Sequence, residues 1–122
     1  MPTLTNQDMN LAHGNIRSLS NTAAQVIIAL QMHAETLRKS GDFTGRAAFL
    51  DQSYRVADAM AAIQQARDRL RLQRSLKGPI AELTNITVAA KAAKAQIAKI
   101  AKALGAANDL IKLLNRLLKL VT

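Results

Sequence analysis

The chain contains no cysteine and no tryptophan, and its only aromatic residues are Phe43, Phe49 and Tyr54. Without cysteine there can be no disulfide, no thiolate metal ligand and no thiol nucleophile, and the redox compartment is left open. The scarcity of aromatics means that any core is built from Leu, Ile, Val, Met and many Ala. Such cores suit close-packed helices better than sheets. Acidic residues are also few, 8 against 17 basic ones, giving a formal net charge of +9. No apolar run approaches the length needed to cross a bilayer. Residues Met1 to Asn10 lack the basic-then-apolar order of a secretory signal, so a cytoplasmic location is expected, with signal-independent export left open.

At 122 residues the chain fits one domain large enough to bury a core. Its basic surplus is uneven. Up to Asp42, the basic residues Arg17, Arg38 and Lys39 are matched by Asp8, Glu35 and Asp42. From Phe43 onward the basic residues outnumber the acidic ones throughout. Such a field favours anionic partners, whether phosphate backbones, anionic lipid or acidic protein, without choosing among them.

What is abundant is helical periodicity. From Leu83 the apolar residues alternate in threes and fours: Ile86, Ala90, Ala93, Ile97, Ile100, Leu104, Ala107, Ile111, Leu114, Leu118 and Val121. This is a heptad seam, which presents one stripe to other helices. A first helix, residues 5–39, has the stripe Met9, Ala12, Ile16, Leu19, Ala23, Val26, Leu30, His33 and Leu37, with Thr5 placed to cap it. Gly14 weakens its first turns, so a later start at Asn15 is an alternative. Lys39-Ser40-Gly41-Asp42 reads as a cationic last turn, a glycine stop and a new cap. The short loop makes the second helix, residues 43–75, antiparallel to the first.

That second helix carries two adjacent stripes, one through Phe49, Val56, Met60, Ile63 and Leu70, the other through Phe43, Ala47, Leu50, Tyr54, Ala57 and Ala61. A face that wide predicts contact with two neighbours. Gly78 and Pro79 mark the next break, with Pro79 suited to the first helical position. The third helix then spans residues 79–121. Because the heptad phase survives Gly105, the pattern predicts one continuous or gently kinked helix whose apolar end overshoots the Gly41 turn. The rival geometry splits it near Gly105, with Asn108 or Asp109 starting a fourth helix. The expected fold is therefore all-α, an elongated antiparallel bundle of three long helices.

The interface expected on this fold is Ile97, Ile100, Leu104, Ile111, Leu114, Leu118 and Val121. A second apolar stripe, Leu110, Leu113, Leu117 and Leu120, adjoins it, leaving Lys112, Asn115, Arg116 and Lys119 as a narrow cationic strip. Two neighbouring stripes are more than one helix can bury. They imply cover by the bundle, by a second copy, or by an anionic membrane surface. Lys91, Lys94, Lys99 and Lys102 fall off the seam and, with Lys112, Arg116 and Lys119, form the face expected to meet an anionic partner; a charge run of this kind also serves simply to keep a helix solvated.

Other features carry less. Arg67, Arg69, Arg71 and Arg74 suit phosphate by type, yet their spacing spreads them around a helix, and no aromatic residue interleaves for base stacking. His33 lies on a seam and fits a core or boundary histidine with an ordinary hydrogen bond; His13 has no acidic or thiol cluster to complete a metal site. Asn85-Ile86-Thr87 matches a glycosylation sequon inside a helix, without secretory context. No nucleophile–base association or glycine-rich phosphate loop is visible, so no catalytic, cofactor or metal residue is assigned. The expected function is a non-enzymatic interaction or scaffolding module that self-associates or binds a helical protein through the last helix. The alternative is a membrane-active protein using that same cationic amphipathic helix, and nonspecific nucleic-acid binding ranks below both.

Overall fold

A computed structural model describes residues 3–121. Four helices occupy most of that length: α1 (Asn6–Lys39), α2 (Phe43–Gln73), α3 (Ile80–Ile97) and α4 (Ala103–Val121). The fold is all-α, with no strand among the described residues.

Local chemistry accounts for most helix ends. The Thr5 hydroxyl accepts the Asp8 amide at 3.1 Å, satisfying one of the unpaired donors of the first turn of α1. The helix runs on through Gly14. At its far end Gly41 takes φ +85°, a conformation that favours glycine, and the Asp42 carboxylate then caps α2 by accepting the Gly45 amide at 2.8 Å. Arg74 ends α2 in the left-handed region at φ 51°, its guanidinium donating to Asn6 Oδ1 at 2.8 Å. Pro79 is the N-cap of α3 and not its first helical residue.

Contacts between helices fix the topology. α1 packs on α2 and α3, α4 packs on α2 and α3, α1 and α4 barely touch, and α2 and α3 lie on the other diagonal. Lys94 reaches Gln25 and the Ile97 carbonyl meets His33, so α3 runs parallel to α1. Gln52 reaches Leu104, and Arg55 and Ala59 share a groove with Asn108 and Asn115, so α4 runs parallel to α2. The bundle is thus two antiparallel hairpins laid face to face, and segment 74–79 crosses the diagonal between them. That crossing is pinned by backbone bonds from Leu4 N to Arg74 O and from Lys77 N to Leu120 O, both 2.7 Å, and by the buried side chain of Leu76.

Three expectations need correction. The third helix is not continuous: it ends at Ile97, and α4 starts at Ala103. The break falls at residues 98–102, and Gly105 sits inside α4, not at the corner. No glycine or proline marks this corner. It is tightened by bonds from Lys99 N to Gln96 O at 3.0 Å and from Lys102 N to Lys99 O at 2.9 Å, without any residue at positive φ.

The energetic reason is burial. Folding back places Leu110, Leu114 and Leu117 at 0% exposure. Each such leucine is worth roughly 1.5–3 kcal/mol, whereas each backbone bond given up at the corner costs about 1 kcal/mol net. A protruding helix would have forgone the larger sum.

As a result no apolar end protrudes past Gly41. The overshoot is reversed, with the α1–α2 hairpin extending beyond the 98–102 corner, which lies at the level of His33 and Gln52. The third correction concerns α2. Its Phe49, Val56, Ile63 and Leu70 are buried, but Phe43, Ala47, Tyr54, Ala57 and Ala61 from the second stripe face solvent. The width of the face is supplied instead by Ser53, Ala62 and Ala66, which are buried beside the first stripe.

Candidate functional site

The last helix was the sequence's focus, and its side chains divide in an unexpected way. The buried line of α4 is Ala103, Ala107, Leu110, Leu114, Leu117 and Val121, with Ala106 and Leu120 alongside. It is a heptad line of its own, rotated from the expected seam toward the second stripe. From the seam, Ile97, Leu114 and Val121 are buried in the bundle, Ile111 and Leu118 are half-buried, and Ile100 and Leu104 are exposed at the corner. From the second stripe, Leu110, Leu117 and Leu120 are buried and Leu113 is half-buried. Neither stripe stands free. The core of the same chain takes the middle of both.

What α3 and α4 leave outward is a groove of about 570 Å³ lined by Ala89, Ala92, Ala93, Gln96, Ala106, Asp109, Lys112, Leu113 and Arg116. Alanine on the facing surfaces of both helices keeps its floor low, and Leu113 stands at one wall. The rim carries both signs of charge. Asp109 has no ion-pair partner among the described residues, whereas Arg116 pairs with Glu82 across the two helices. This groove is largely apolar with charged residues at its edge, a combination found where another helix docks.

The seven basic residues expected to share an anionic-partner face are dispersed. Lys91 and Lys94 line the α1–α3 groove beside Ser18, Asn21 and Gln25, and Lys94 donates to the Gln25 side chain. Lys99 and Lys102 sit on the corner. Lys112 and Arg116 flank the alanine groove, and Lys119 lies lower, near Lys77 and Glu82. All seven are exposed.

Of the four clustered arginines, three in α2 and one at its C-cap, Arg67 and Arg71 turn toward α1, while Arg69 is exposed elsewhere and Arg74 holds Asn6. The other arginine pairs are ordinary surface contacts: Arg38 with Glu35 at 2.6 Å, where the bond to Arg38 holds the Glu35 carboxyl below its usual range, and Arg55 with Asp51 at 2.9 Å. Such exposed pairs add little to stability.

His33 is half-buried between helices. Its ring lies tilted on Phe49, centroids 5.4 Å apart, and its Nε2 is 2.7 Å from the Ile97 carbonyl. Among the described residues no three His, Cys, Asp or Glu side chains gather as a metal site, and no helix is long and apolar enough to cross a membrane. No protein family, curated protein or solved structure matches the chain.

Proposed function

We propose that this chain is a non-enzymatic helical interaction module whose docking surface is the outer α3–α4 face, with a second copy of the chain as its occupant. The observation that carries the reading is the alanine-floored groove with Asp109 and Lys112 on one rim. Small residues on both helices let another backbone approach closely. In a two-fold pairing the same patch meets itself in opposite direction, so Asp109 of each copy can face Lys112 of the other. The net charge of +9 opposes association at long range, but at physiological salt it is screened beyond about 8 Å, leaving local complementarity to decide.

Equilibrium sedimentation over a concentration series tests this. The wild-type chain is expected to dimerise, and Ala92→Glu, at an exposed position in the groove, to be monomeric with unchanged helix content. A monomeric mass for the wild type at every concentration overturns self-association.

A second reading rests on the asymmetry of α4, which keeps Leu110, Leu114, Leu117 and Leu120 inward and Lys112, Asn115, Arg116 and Lys119 outward. Released at the 98–102 corner, such a helix suits the surface of an anionic bilayer. Co-sedimentation with phosphatidylglycerol vesicles, lost in Lys112→Gln/Lys119→Gln, is the expected result for that role. Failure of the wild-type chain to sediment with them would retire it.

A further inference from the structure

The antiparallel pairing of α1 and α2 brings together two pairs of cationic or potentially cationic side chains that lie far apart in the sequence. His13 and Arg17 stand one turn apart on α1, Arg67 and Arg71 one turn apart on α2, and all four line a single cavity of about 520 Å³. Ser20 and Asn21 complete its polar wall. No acidic side chain lines it. Elsewhere Arg38, Arg55 and Arg116 each hold a carboxylate, but no carboxylate of a described residue lies within ion-pair distance of Arg17, Arg67 or Arg71.

Three uncompensated guanidinium groups around one cavity repel one another, and folding has to overcome that repulsion. Arg67 adds a second cost. Its Nε is buried and has no hydrogen-bond acceptor, although its terminal nitrogen donates to Gln64 Oε1 at 3.2 Å. A buried donor without a partner is rare and unfavourable. The first cost is removed by an anion whose oxygens accept from the guanidinium groups that line the cavity.

We propose that this α1–α2 cavity is a binding site for a phosphate group, specifically the dianionic phosphate of a phosphomonoester. Guanidinium forks match phosphate oxygens geometrically, and three of them from two helices suit a tetrahedral dianion better than a planar carboxylate, which one fork satisfies. The Ser20 hydroxyl and the Asn21 amide supply neutral donors. The volume exceeds that of a bare phosphate and lies within the range of small-molecule sites, which leaves room for the organic part of the ester.

His13 reports on the site. Partial burial, followed by the fields of Arg71, Arg67 and Arg17, holds its imidazole below the ordinary value of 6.5. A bound dianion offsets that field and moves His13 upward.

The test is an NMR titration of the histidine side chains in the full chain with inorganic phosphate, ionic strength held constant with chloride. The expected result is a saturable shift at His13 and an upward move in its titration midpoint, while the His33 resonances stay in place. Arg71→Gln should weaken binding about tenfold or more, as loss of a charge-assisted contact does. Arg69→Gln removes the same charge from an exposed position outside the cavity and should leave binding unchanged. Arg71→Gln relieves repulsion, so it should fold at least as stably as the wild type without phosphate.

A non-saturable shift, an equal shift at His33, or equal weakening by Arg69→Gln would overturn the site. Vesicles containing phosphatidic acid separate the two sources of this chemistry once inorganic phosphate is shown to bind. Displacement of phosphate from His13 by the vesicles supports the site with a lipid headgroup as its ligand, and no displacement supports it with a soluble phosphomonoester.

Discussion

The imidazole of His33 on α1 caps the C-terminus of α3: its Nε2 lies 2.7 Å from the carbonyl oxygen of Ile97, the last helical residue. A carbonyl can only accept, so Nε2 carries the proton. This carbonyl is one of the acceptors a helix leaves unpaired at its end, and α1 supplies the donor. The contact links the longest helix to the corner that splits the third.

Replacing His33 with Leu keeps an apolar fit on Phe49 but removes the donor, and should destabilise the fold by about 1–2 kcal/mol. His33→Gln, which retains an N–H, should cost less. Urea unfolding gives the ordering, and amide exchange in residues 98–102 should quicken in the Leu variant. Equal stability of wild type and His33→Leu would mean the bond does not hold the corner.

Gly105 lies within α4, and a Cβ there would meet nothing within 4 Å. Gly105→Ala should therefore stabilise by about 0.5–1 kcal/mol, seen as a higher thermal midpoint. Gly41→Ala should do the opposite, since φ at Gly41 is +85° and a side chain is strained there. If both substitutions moved the midpoint the same way, the chain would turn somewhere other than this structure places it.

Leu114 is fully buried, whereas Leu72 is 85% exposed. Leu114→Ala should cost about 2–5 kcal/mol of unfolding free energy. Leu72→Ala should stay within about 0.5 kcal/mol of wild type. Leu114 therefore acts within the chain's own core, and its effect on any assembly would follow from its effect on folding. Chemical denaturation of the two variants checks the contrast.

Stability should depend on pH through His13. Burial and the charges of Arg71 and Arg67 on α2 and Arg17 on α1 lower its folded value below 6.5. Between the folded value and the unfolded one, the unfolded chain binds more protons, so stability rises with pH across that window. The stabilisation is thus fully present above 6.5 and is lost as acid protonates the unfolded chain first. His13→Gln should flatten this part of the stability profile, and thermal midpoints measured from neutral to mildly acidic pH would reveal it. An unchanged slope in the variant would assign the pH dependence to other groups.

Much of the fold was legible locally. The threes-and-fours stripe of α1 from Met9 to Leu30 is its buried face, and Thr5, Gly41 and Asp42 act as their residue types imply. These signals work over three or four residues, so sequence alone contains them. The corner at 98–102 leaves no such mark. Its cap comes from His33, 64 positions away, and its driving force is the burial of α4 leucines that no local rule sums.

The same limit applied to the sites. Continuity of the heptad phase through Ile100 and Leu104 was real as a pattern, yet Ile100 sits exposed in the corner itself and Leu104 turns outward at the start of α4, whose buried line is rotated from the seam. Arg67 and Arg71 looked dispersed among four arginines. An i, i+4 match to His13 and Arg17 was present in the sequence, but only the register of the α1–α2 hairpin places the two pairs around one cavity.

Composition and periodicity determined that this protein is helical, basic and built on a Leu, Ile, Val and Ala core. Tertiary structure decided which of its apolar stripes remained available and which of its charges met, because both depend on contacts between helices and not on neighbours along the chain.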